Sequence, residues 1–169
     1  MRFLIIFTFL LSNAFANDVV DIENLIINKE IKKYDDLTFL DDKRKQLDLD
    51  EFKGKLILLN FWATWCAPCK KEMPSLDLLQ ANKNLDNLKI FTINVGQDNL
   101  EKASKFFEEL EIKNLKIYFD SPVTLAKKFR LRGIPTSIIF NKKGEEFARI
   151  IGSIDFEDQK FIDWLKKYN

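Results

Sequence analysis

The sequence predicts an α/β fold: a single three-layer α/β/α domain in which helices cover both faces of a mixed central sheet. Three observations carry this. An apolar run at residues 56–61 delivers a Cys-x-x-Cys pair to the start of a helical pattern, and a strand pattern at 88–95 follows, which makes a β-α-β unit. Two runs flanking Asn141-Lys142-Lys143-Gly144 then read as an antiparallel hairpin. A final helical pattern closes the chain. That order mixes parallel and antiparallel strands and leaves helices for both faces.

Taken in order, residues 17–33 place Val20, Ile22, Leu25, Ile26, Ile27 and Ile31 at loosely helical spacing, which predicts a short leading helix or arm. Residues 37–40 and 46–49 are strand-like runs around the charged turn Asp41-Asp42-Lys43-Arg44, a hairpin signal, and 50–54 is a turn. After the cysteines, Met73, Leu76 and Leu79, with Leu78 at their margin, hold a 3.6-residue stripe to about Ala81, and Pro74 inside it predicts a kink. In the next strand Ile90, Thr92 and Asn94 share one face, and Phe91, Ile93 and Val95 the other. Residues 100–110 are helical with Ala103, Phe106, Phe107 and Leu110 inward, and 116–119 is a short strand. Ser121-Pro122 is expected to cap a helix running to about Phe129. Asp155 is expected to start the last helix, with Phe156, Phe161, Ile162 and Leu165 on its apolar side. No internal repeat, low-complexity stretch or linker interrupts the chain, so one domain is expected over residues 35–169, preceded by an arm at 17–34.

The first sixteen residues differ from the rest. Arg2 is a short positive region, an apolar run follows, and Ala14-Phe15-Ala16 ends it with a cleavage pattern, so residues 1–16 read as a signal peptide removed after Ala16. The alternative is an uncleaved membrane anchor, for which the run is short of the 17–25 apolar residues that spanning needs. Export to a periplasm-like, oxidising compartment follows, and there a vicinal dithiol rests as a disulfide unless electrons are supplied. With 27 Lys and Arg against 26 Asp and Glu, no positive field points to nucleic acid.

Cys66 and Cys69 are the only cysteines, and histidine is absent. The pair sits at a strand-to-helix junction. Pro68, lacking an N–H, fits a first helical turn. The free N–H groups and positive end of a helix favour a thiolate, and a three-residue spacing returns the second sulfur to the first. The residues therefore read as a dithiol–disulfide exchanger. A loop this short is a poor structural staple, and two Cys without His make a poor zinc site. No metal or other cofactor is expected.

With Trp65-Cys66-Ala67-Pro68-Cys69 and Gly133-Ile134-Pro135-Thr136 placed, the chain resembles the thioredoxin superfamily, and within it the exported TlpA/ResA/DsbE-like thiol–disulfide reductases. The leading hairpin before Phe52-Lys53-Gly54-Lys55, the run Leu59-Asn60-Phe61-Trp62-Ala63-Thr64-Trp65-Cys66, and Lys70-Lys71-Glu72-Met73-Pro74 support the narrower likeness. The resemblance implies a thioredoxin-like fold with an N-terminal β-hairpin extension. It implies Cys66 as an exposed nucleophile, Cys69 as the more buried resolving thiol, and a functional glutamate at Glu72. It also implies a cis Pro135 facing the disulfide, with the Ile134 backbone open to an incoming chain. Trp65, Ala67, Pro68, Ile134, Pro135 and Thr136 are then the substrate-contacting residues. Trp62 reads as core. Where cytoplasmic thioredoxins carry a buried Asp, this chain has Asn60, and where some relatives carry a second acid it has Gln97; neither can titrate.

The implied activity is reduction of disulfides in exported partner proteins, by analogy apocytochrome c or copper-site proteins of cytochrome oxidase, with a membrane thiol electron donor restoring the dithiol. Two other readings stand beside it. An exported oxidase or isomerase would share the motif, although Ile134 before the proline matches reductive members. A redox-linked copper-site assembly factor would need a Cys-x-x-x-Cys pair and a distant His, which are lacking.

Overall fold

The computed structural model describes residues 21–169; the signal expected at residues 1–16 lies outside them. Eight strands form one sheet in the order β1-β8-β7-β4-β5-β6-β2-β3. At its centre β4, Leu56–Trp62, runs parallel to β5, Leu88–Asn94, and antiparallel to β7, Thr136–Phe140. Every residue of β4 is buried, as a strand covered on both faces must be. β8, Glu146–Ile151, continues one side of the sheet, and β6, Ile117–Phe119, continues the other, parallel to β5. The expected hairpin is present as β2, Thr38–Leu40, and β3, Gln46–Asp48, joined to β6 through Leu40 opposite Phe119.

Alternation along β4 divides the core. Leu56, Leu58 and Trp62 face α1 (Ala67–Gln80), α2 (Leu100–Glu109) and α4 (Gln159–Lys166). Ile57, Leu59 and Phe61 face the short α3 (Leu125–Lys128) together with Leu37, Phe39 and Phe129. Asn60 shares the parity of Leu58 and Trp62 and so projects toward α1. The expected three-layer architecture is therefore observed, three helices on one face and one on the other. Trp62 is fully buried and stacks on Phe106 at 4.9 Å between ring centroids, close to Phe107 at 5.3 Å.

Several elements differ from expectation. The segment read as a loosely helical arm contains β1, Leu25–Lys32, an edge strand antiparallel to β8. Its Ile26, Ile27 and Ile31 are exposed, so the apolar spacing recorded no buried helix face. The segment is held by polar contacts: Asn28 Nδ2 and Tyr34 Oη each donate to the fully buried Glu146 at 2.8 Å. The turn at 50–54 includes a 3₁₀ helix, Leu49–Phe52. α3 begins at Leu125 rather than at Ser121-Pro122, because Asp120 accepts the N–H groups of Thr124, Leu125 and Ala126. Asp155 opens only a turn; α4 is capped by Asp158, which accepts from Lys160 and Phe161 N–H. Leu78, at the margin of the α1 stripe, is half exposed. α1 runs through Pro74 as one element; Ser75 Oγ donates to the Glu72 carbonyl at 2.8 Å and accepts from Phe156 N–H at 3.1 Å, tying the helix to the segment before α4.

Candidate active site

The two cysteines are joined as a disulfide at the junction of β4 and α1, with Cα atoms 5.3 Å apart. Cys66 is the N-cap of α1 and Pro68 lies in the first turn. Cys69 N–H points at Cys66 Sγ at 3.2 Å, so an N–H left free at a helix start is aimed at the first sulfur. That favours negative charge on Cys66 when the disulfide opens. Contrary to the expectation of an exposed nucleophile, Cys66 is itself buried at 3% exposure, against 0% for Cys69. Trp65, Ala67 and Pro68 are exposed around it, so access runs over this rim.

Trp65 is 68% exposed and lines an apolar groove of about 500 Å³ with Val95, Val123, Leu131, Gly133 and Ile134. Ile134–Pro135 is cis. Among the described residues the N–H and C=O of Ile134 have no backbone partner, which leaves them open to an extended chain. Thr136 is buried, and its hydroxyl donates to the Gly133 carbonyl at 2.8 Å, closing the turn that carries the proline. The structure thus brings Trp65 and Ile134 to one groove and uses Thr136 to shape the turn beside it.

Glu72, one helical turn beyond Cys69, is 2% exposed. Burial lifts its carboxyl from 4.5 to about 8, partly countered by Asn60 and the backbone of Ile154. Asn60 Nδ2 donates to Glu72 Oε1 at 2.8 Å, while Oε2 meets no partner in hydrogen-bonding geometry. This polar group lies on the α1 face of the sheet, among otherwise apolar packing.

Three contributors go beyond the sequence reading, which named Asn60 only as a group that cannot titrate and did not name the other two. Asn60 is a donor to the buried carboxyl, and Ser137, directly opposite it on β7, accepts from the same amide at 3.0 Å. Asn60 interrupting an apolar central strand was the visible signal for the first. The third is Asp98, the residue after Gln97. Its carboxylate accepts from Thr64 N–H at 3.0 Å, Thr64 Oγ1 at 2.9 Å and Asn94 Nδ2 at 2.9 Å, and pairs with Lys102 at 2.7 Å. Desolvation acts to raise it, but these donors hold it at about 2, so it is a fixed anion rather than a proton carrier at neutral pH. Gly96 is required by close approach: a Cβ there would lie 2.6 Å from the Ala63 Cβ and 3.1 Å from Trp65 Nε1.

The Redoxin family model matches residues 28–160. The chain belongs to the Redoxin family. This Redoxin-family protein is 31% identical over 132 residues to the thiol-disulfide oxidoreductase ResA of Geobacillus kaustophilus, covering 78% of this chain and 75% of that one. Its fold is similar to that of StoA from Bacillus subtilis, with a TM-score of 0.61 and 26% identity over 82% of this chain and 96% of that one. It is also similar to a thioredoxin-family thiol:disulfide interchange protein from Chlorobium tepidum, with a TM-score of 0.66 and 23% identity over 83% of this chain and 97% of that one. The Redoxin-family chain thus has a thioredoxin-like fold, as expected, and is a thiol–disulfide oxidoreductase. Among its described residues no helix is long and apolar enough to cross a membrane.

Reduced protein at neutral pH is expected to be alkylated first at Cys66. Peptide mapping after sub-stoichiometric iodoacetamide checks this; label appearing first on Cys69 would reverse the two roles.

Proposed function

We propose that this protein is an exported reductase of disulfides in partner proteins. Cys66 is the nucleophile, Cys69 the resolving thiol and Glu72 the proton carrier. The observation that carries the reading is the buried Glu72 carboxyl one turn from Cys69, matched at about 8 to a thiol. The Cys66 thiolate attacks one sulfur of the substrate disulfide, forming a mixed disulfide and releasing a substrate thiolate that takes a proton from water. Cys69 gives its proton to Glu72 and attacks Cys66 Sγ; the second substrate thiolate leaves and the Cys66–Cys69 disulfide forms. Two electrons have moved to the substrate. In the return direction a donor thiolate attacks Cys66, and the Glu72 acid protonates the departing Cys69 sulfur. Since burial keeps Glu72 mostly protonated at neutral pH in the oxidised protein, the resting disulfide is poised for that re-reduction.

The substrate would lie along the groove between Trp65 and Ile134, its backbone pairing with Ile134 beside cis Pro135. Likeness to ResA and to the thiol:disulfide interchange proteins supports protein disulfides as the substrate class; the partners in this reading are of the apocytochrome c or copper-site class, the electron donor is a membrane thiol, and the signal at residues 1–16 delivers the chain to the periplasm. The direction is tested by the reduction potential. Equilibration of the Cys66–Cys69 couple in thiol buffers should give a value nearer the roughly −270 mV of thioredoxin than the roughly −120 mV of a strong oxidant such as DsbA. A value at the oxidising end would make the protein an oxidase instead.

A further inference from the structure

Three buried polar side chains from three elements meet on the α1 face of the sheet: Glu72 of α1, Asn60 of β4 and Ser137 of β7, exposed by 2%, 0% and 2%. Asn60 and Ser137 stand directly opposite each other in the β4–β7 ladder and so project to the same side. Their bonds are one-sided. Asn60 Nδ2 donates to both Glu72 Oε1, at 2.8 Å, and Ser137 Oγ, at 3.0 Å, whereas Asn60 Oδ1 has no partner. One end of the amide makes both contacts and the other end makes none.

This pattern fits an ionised Glu72, because a carboxylate only accepts. Once protonated, the carboxyl has a hydrogen to donate, and a serine hydroxyl donates as readily as it accepts. Rotating the Asn60 amide by half a turn puts Oδ1 where Nδ2 stood, and Oδ1 then accepts from Glu72 and from Ser137. Both hydrogen bonds survive; the turn carries the two amide N–H groups to the side where Oδ1 had no partner, a cost set against leaving the Glu72 hydroxyl without an acceptor. An aspartate at this position would set a second carboxylate against the first, and an apolar residue would leave Glu72 without a partner in either state.

We infer that Asn60 and Ser137 form a turning amide–hydroxyl pair that follows the proton on Glu72, donating to the carboxylate and accepting from the acid, and that both are positioning residues for the proton-transfer step. The inference rests on the reading of Glu72 as proton carrier. No charged neighbour competes for the role. Lys70 and Lys71 on α1 are exposed, Asp77 one turn on is engaged by the N–H groups of Lys113, Asn114 and Leu115, and Asp155 beyond Ile154 is exposed. None of them contributes to the raised Glu72 carboxyl.

The test uses the oxidised full chain, in which neither cysteine titrates and no substrate is needed. Carboxyl ¹³C signals report Glu72, and side-chain ¹⁵N–¹H signals report Asn60. In the wild type the Asn60 NH₂ signals should move through the same midpoint as Glu72. Ser137→Ala should raise that midpoint by roughly 0.5–1 pH unit, because an orphaned N–H in the donating orientation costs more than an under-used carbonyl in the accepting one. Ser137→Thr, which keeps the hydroxyl, should restore the wild-type midpoint. Asn60 signals that stay still while Glu72 titrates would overturn the inference, as would a Ser137→Ala midpoint equal to wild type or a Thr variant that behaves like Ala. A Glu72 that does not titrate between pH 5 and 9 would remove the proton-carrier reading and this inference with it. The redox direction plays no part in these measurements.

Discussion

Between pH 5 and 8.5 the oxidised protein is expected to lose stability, and Glu72→Gln is expected to abolish that loss. The sign follows from the carboxyl. Its folded value of about 8 lies above the ordinary 4.5, so the folded state binds more protons than the unfolded state across that window. Stability is therefore full below the unfolded value and is lost as pH rises through about 8. At about 1.4 kcal/mol per pH unit the loss amounts to roughly 5 kcal/mol at most, a large share of a domain's net stability. Glutamine keeps an oxygen for Asn60 Nδ2 but places its NH₂ where Oε2 has no partner, which should cost about 1 kcal/mol at pH 5. Urea unfolding with the disulfide intact, at intervals across the window, separates these effects. Asp98 and Glu146, both held below the ordinary carboxylate range, act on the acid side and leave the window clear. In the proposed mechanism the same substitution removes the proton carrier, and it should slow disulfide exchange by about 10²-fold, the low end for general acid–base assistance. A flat wild-type stability profile together with an unchanged exchange rate would leave Glu72 a buried residue with neither role.

Periodicity and the cysteine motif made most of the fold legible, and the failures have physical causes. The β-α-β unit around the cysteines, the leading hairpin and the hairpin of β7 and β8 all appeared where alternation or turn residues announced them. β1 was not legible because an edge strand buries little. Its isoleucines face solvent and its attachment runs through Asn28, Tyr34 and Glu146, contacts 112–118 residues apart in sequence. The starts of α3 and α4 were misplaced because Asp120 and Asp158, rather than the first turn-forming residue met along the chain, take the free N–H groups. At the site, the dithiol, the glutamate and the cis proline could be named from local motifs. Asn60 and Ser137 could not be joined to Glu72 without the strand register, since a seventy-seven-residue separation lies between them. Asp98 had no pattern at all; its partners Thr64 and Lys102 come from a loop and a helix on either side of β5.

Asp98→Ala is expected to destabilise the protein by about 3 kcal/mol and to loosen the loop that carries Trp65. The carboxylate side chain is 1% exposed and takes four donors, of which Thr64 N–H, Thr64 Oγ1 and Asn94 Nδ2 have no replacement once it is gone. Each stranded buried donor costs about 1–3 kcal/mol, reduced where water can enter the space left behind. Lys102 does not add to that sum, because its side chain is 60% exposed and returns to solvent. In a chain of this size 3 kcal/mol lowers Tm by roughly 6–12 °C. The pH signature distinguishes this site from Glu72. A carboxylate held at about 2, below the ordinary 3.8, contributes stability that is present above 3.8 and lost as pH falls through about 2. The alanine variant should therefore show its deficit in full at pH 7, converge with wild type in strong acid, and retain the wild-type loss of stability toward pH 8.5. Thr64 precedes Trp65, and Gly96 packs against both Ala63 and Trp65, so the freed loop should also show in Trp65 fluorescence. A variant that melts with wild type at pH 7 would mean that water replaces the carboxylate at every donor. The loop over the disulfide would then be held by its packing against Gly96 alone.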